Sequence, residues 1–163
     1  MGTDIFLSWD GITDLEKAVQ TAAAREFALN AGHTGYLRAA IGMKRENALL
    51  RSIFPARFWY DTSGRAMPYD FKTGLLALNR LAKVYIRSIE TDTEPNLEGY
   101  ALVTAMDKIT KELLAKRGYR EVASTNDLTL DEAMDWLKEL AEFFGLGAQK
   151  QLEGKNPRIF ISW

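Results

Sequence analysis

The chain has no cysteine and a single histidine, His33, in 163 residues. Without cysteine there is no disulfide framework, no thiolate metal site and no thiol nucleophile. One imidazole also excludes zinc sites built on two or three histidines, and the sequence implies neither a metal nor a cofactor. Long apolar runs are missing: nothing approaches the ~20 residues that cross a bilayer. The opening stretch Met1–Asp10 lacks a basic leader region. Phe6 also stands where a myristoylation pattern wants Ser or Thr. These absences lead to the expectation of a cytoplasmic protein with no membrane partner.

Charge of one sign is scarce as well. Lys and Arg number 21 against 22 Asp and Glu, a net charge of −1, which places nucleic acid third among expected partners. Phosphate-binding loops are absent, because Gly32-His33-Thr34-Gly35 lacks the Lys-Ser/Thr ending and no G-x-G-x-x-G occurs. No nucleophile elbow accompanies His33. The spacing of Asp10-Gly11-Ile12-Thr13-Asp14 is not that of a calcium loop. An enzyme is therefore the less favoured reading.

What is present is mostly helical periodicity. Thr13 and Glu16 have capping-box spacing and open a helix expected to run to about Asn30 and stop at Gly32. Thr129 and Glu132 repeat the device, with Leu130, Ala133, Leu137, Leu140, Ala141 and Phe144 facing inward and Gly145 as the stop. On the same segment Asp131, Asp135 and Glu139 share a face that reads as solvated. Residues 145–157 read as a loop. Phe71, Leu75, Leu78, Ala82, Tyr85 and Ile89 recur at intervals of four and three, with Leu76, Leu81 and Val84 widening the stripe. Leu102, Ala105, Met106, Ile109 and Leu113 form a second stripe on a helix expected from about Leu97 to Lys116. Pro95 and Asn96 lie between the two, so 71–91 and 97–117 are expected as an antiparallel hairpin with facing stripes.

The ends differ from the middle. Ile5-Phe6-Leu7-Ser8-Trp9 and Ile159-Phe160-Ile161-Ser162-Trp163 are nearly the same strand-forming pentapeptide. Segments 4–9 and 158–163 are expected to pair, the alternative being chance similarity of two short apolar runs. The fold class is mostly α: residues 1–163 as one compact domain of four to five helices, with a small two-stranded β element joining the termini.

Residues 33–72 carry seven basic and three acidic side chains, a net +4, together with seven of the eighteen aromatics. Arg with Trp and Tyr is the composition of protein-binding hot spots and also suits single-stranded nucleic acid. The favoured function is a small interaction protein (adaptor, regulator or inhibitor) that binds a protein partner through segment 36–71. The candidate contacts are Arg57, Trp59, Tyr60 and Arg65, with His33, Tyr36 and Arg38 as further binding candidates. Burial of these aromatics in the core is the competing reading, and His33 is equally a helix-end cap. The alternative function is a small-molecule-binding or hydrolytic enzyme with a pocket near His33. Self-association is left open.

Overall fold

The computed structural model describes residues 2–40, 42–61, 63–119 and 128–162. The alternation at the two ends forms strands, β1 (Gly2–Ser8) and β4 (Arg158–Ser162). They pair antiparallel with Ile5 opposite Ile161 and Phe6 opposite Phe160. Trp163, included in the expected pairing segment, lies outside the described residues. The sheet is larger than two strands. Tyr36–Ala40 forms β2 along β1, and Met67–Pro68 forms β3 along β4, giving the antiparallel order β2-β1-β4-β3. Ala39 and Ala40 give β2 a poor strand signature, so propensity alone does not reveal it. Ile5, Leu7, Leu37, Ala39 and Ile159 point into the core. On the other face Phe6 lies between the rings of Tyr36 and Phe160.

Six helices, more than the four to five expected, occur among the described residues: α1 (Asp14–Arg25), α2 (Lys44–Ile53), α3 (Ala56–Tyr60), α4 (Phe71–Glu90), α5 (Tyr100–Lys116) and α6 (Leu130–Leu152). Both expected capping boxes form, at Thr13–Glu16 and Thr129–Glu132. The first helix stops earlier than expected, at Arg25. The amide of Phe27 bonds to the carbonyl of Ala24 and that of Ala28 to the carbonyl of Ala23, a Schellman closure. Its left-handed residue is Phe27, φ 52°, where glycine is the usual occupant.

α6 overturns another expectation. It runs through Gly145 and Gly147 to Leu152, so residues 145–152 are helix rather than loop. Gly147 has a packing reason to be there, since a side chain would strike the Phe71 ring of α4. That close approach seats α6 along α4, with Phe71, Leu78 and Tyr85 meeting Trp136, Leu140, Phe143 and Phe144 in one core.

The hairpin expectation is also corrected. α5 packs on α2, not face to face with α4. Gly99 lies against the Ala48 carbonyl and the Arg51 side chain, and Val103 is the residue α5 buries. The stripe Leu102, Met106, Ile109 and Leu113 consequently faces outward, Ile109 being 56% exposed. Leu76 on α4, assigned inward by its spacing, is exposed too. Periodicity identified these faces as apolar without saying which of them would find a neighbour.

Candidate functional site

The expected contact residues fall into two groups at opposite edges of the sheet. α3 packs against β4 and carries Arg57 and Tyr60, both exposed. Arg65, also exposed, precedes β3. Trp59 is not available to a partner: it is 6% exposed and its Nε1–H donates to the Phe54 carbonyl at 3.2 Å. The Arg51 guanidinium sits 4.6 Å from its ring. The reason is local. Pro55 starts a new short helix at Ala56, and one turn of helix points both Phe58 and Trp59 at the core.

Tyr36 and Arg38 lie on β2, with β1 and β4 between them and the α3 side. Tyr36 is fully buried, and its hydroxyl donates to Asp4 Oδ1 at 2.7 Å. Burial, then the Asp4 carboxylate, push its hydroxyl up to about 12. Arg38 Nη1 donates to the same oxygen at 2.8 Å, and its guanidinium lies 4.3 Å from the Phe27 ring. His33 is exposed in a 3-10 turn, Gly32–Thr34. Its neighbours, rather than His33 itself, meet the feature described next.

Between β2, the segment after α1 and the N-terminal half of α6 lies a cleft of about 450 Å³. Arg38, Ala39 and Ala40 form its sheet side, Phe27, Leu29 and Asn30 a second wall, and Met43 with Leu128 add apolar surface. Four carboxylates line it: Glu46 from α2, and Glu132, Asp135 and Glu139 from α6. The volume falls within the ~300–1,000 Å³ common for ligand sites.

Two of these acids are buried. Glu46 is inaccessible to solvent, and its Oε1 accepts from Tyr85 Oη at 2.7 Å and from the Leu128 amide at 3.3 Å. Glu139 is 5% exposed and its Oε1 accepts from the Ala31 amide at 3.2 Å. Burial pushes the Glu139 carboxyl up to about 7. The Ala31 and Gly32 amides resist that shift, and the Glu142 charge adds to it. Glu132 is different: as the exposed capping-box partner of Thr129 it is held below the usual carboxylate range, first by the Thr129 backbone N–H. Beside these acids Trp136 lines the cleft, 7% exposed, and its indole N–H has no acceptor among the described residues. Buried donors are nearly always paired, so this one stands out.

Glu139 corrects the reading of a solvated acidic face, since only Asp131 and Asp135 of that trio are exposed. A signal for it existed. Glu139 shares its helical phase with Ala133, Trp136 and Phe143, all buried. Glu46 similarly shares a stripe with Leu49, Leu50 and Ile53. Among the described residues no group of three or more His, Asp or Glu side chains is arranged to hold a metal ion. No helix among them is long and apolar enough to cross a membrane. Comparison with known proteins finds no matching family model, no matching curated protein and no matching solved structure.

Proposed function

We propose that this chain is an interaction protein that captures an extended segment of a partner protein along the free edge of β2. The observation that carries the reading is the coincidence of an edge strand with a cleft opening directly beside it. Pairing parity supports it. The Leu7 amide bonds to the Gly35 carbonyl at 2.8 Å, so residues 35, 37 and 39 exchange bonds with β1. The N–H and C=O groups of Tyr36 and Arg38 therefore point to the outer edge. The Ala40 carbonyl is already taken by Asn47 Nδ2 at 3.0 Å. Tyr36 is covered, at zero exposure, so an incoming strand would meet open backbone first at the half-buried Arg38. It would have to displace what covers Tyr36 to extend the pairing used in strand addition. Arg57, Tyr60 and Arg65, on the β3 side, take no part in this mode.

The test uses a seven-residue peptide alternating Val and Lys, capped at both ends, and the same peptide N-methylated at alternate residues. The expected result is amide resonance shifts centred on Tyr36 and Arg38, with at least tenfold weaker binding of the methylated form. Equal binding of the two peptides, or shifts confined to α3 and the loop before β3, would overturn the proposal.

A further inference from the structure

We infer that the cleft beside β2 is a pocket for an organic cation, the side chain of a lysine or arginine, that carries a hydrogen-bond acceptor close to it. The inference rests on the strand-capture reading only for what delivers the cation; the pocket chemistry stands by itself.

The charge around the cleft is one-sided. Glu46, Glu132, Asp135 and Glu139 line it, and Arg38 is the one cation among the described lining residues. Arg38 is already committed, bonded to Asp4 at 2.8 Å and stacked on Phe27. Among the described residues, a second positive group would meet Asp135 and Glu139 with no lining guanidinium other than the committed Arg38. The apolar wall of Leu29, Met43 and Leu128 suits the hydrocarbon stem of such a side chain.

Trp136 supplies an independent requirement. The residue is 7% exposed, and its buried N–H is unmatched among the described residues. It can only donate, so it calls for an oxygen acceptor on the ligand rather than for the cation itself. A peptide carbonyl next to a lysine or arginine side chain satisfies both demands at once, whereas an anionic ligand would meet the exposed carboxylates of Glu132 and Asp135.

Phe27 adds a third observation at the mouth of the cleft. It occupies a left-handed helix-end position that glycine fills without strain, and its ring is 61% exposed. The aromatic stands where the backbone disfavours it, over Arg38 and against the cleft. Phe27→Gly is accordingly a variant that should fold well while stripping one wall.

The experiment measures binding of Nα-acetyl-argininamide and Nα-acetyl-lysinamide by Trp fluorescence and calorimetry, with Nα-acetyl-citrullinamide and Nα-acetyl-glutamate amide as controls. The expected result is binding of both cations, at least tenfold weaker binding of the neutral analogue and none of the acidic one. Asp135→Asn combined with Glu139→Gln should weaken the cations at least tenfold with the fold intact by circular dichroism. Trp136→Phe should weaken them several-fold, and Phe27→Gly should do so without loss of thermal stability. Comparable affinity for the citrulline analogue, or no effect of the double variant, would overturn the assignment. The two proposals fail separately. If the N-methylated peptide binds like its parent while the small cations still bind, strand capture is wrong and the pocket stands. If the peptide pairs with β2 but tolerates norleucine for lysine, the pocket is wrong and strand capture stands.

Discussion

Replacing Glu139 by glutamine isolates the effect of a buried carboxyl on stability. In the folded chain this group protonates at about 7, against 4.5 for an unhindered glutamate. Between those values the folded state holds more protons than the unfolded state. Stability should therefore fall as pH rises from about 4.5 to 7, and the full penalty is present above pH 7. The ceiling is about 3 kcal/mol; water in the cleft screens part of it, so about 1–3 kcal/mol is the expected range. Glutamine keeps an oxygen to accept from the Ala31 amide, which donates to Glu139 Oε1 at 3.2 Å, but it cannot ionise. The variant should match the parent near pH 4.5 and exceed it at pH 8, by about 2–4 °C in melting temperature per kcal/mol for a chain of this size. The flanking titrations fall elsewhere: Glu132, Asp10 and Asp70 are all held low by hydrogen bonds and lose their contribution only in acid. The assay is urea unfolding of both proteins at four values between pH 4.5 and 8. A difference in stability between parent and variant that is flat across that range would refute the argument.

Other perturbations probe the packing. Leu78→Ala, at a position 3% exposed, should cost ~2–5 kcal/mol by chemical denaturation, while Ile109→Ala on the open face of α5 should cost less than ~1 kcal/mol. Gly147→Ala and Gly145→Ala should have opposite signs in melting temperature. The first drives a methyl into the Phe71 ring at ~1–3 kcal/mol, while the second enters open space and gains helix propensity of ~1 kcal/mol at most. Tyr85→Phe removes the hydroxyl that Glu46 accepts at 2.7 Å with both residues at zero exposure, and unfolding should become easier by ~1–3 kcal/mol. Deleting residues 158–163 removes an inner strand that β1 and β3 both pair with, so the truncated chain should show no cooperative melting transition in calorimetry.

The division between what the chain alone determined and what folding decided follows the range of the forces involved. Capping boxes at Thr13 and Thr129 were legible because a cap is a bond across three residues. The match between the two terminal pentapeptides survived into the Phe6–Phe160 register because alternation fixes which face of a strand is buried. Apolar stripes were legible too, as geometry of a single helix. Which stripe found a neighbour was not, because that depends on how separate elements meet: α2 took one side of α5 and left Ile109 outside. Trp59 went inside because Pro55 began a short helix against the core. The cleft is the furthest removed from local pattern. Arg38, Glu46, Trp136 and Glu139 come from three elements spread over a hundred residues, and no spacing rule links them. Only packing the 3-10 turn at Gly32 against α6, where a side chain would strike the Glu139 carbonyl, sets that acid beneath the edge of the sheet.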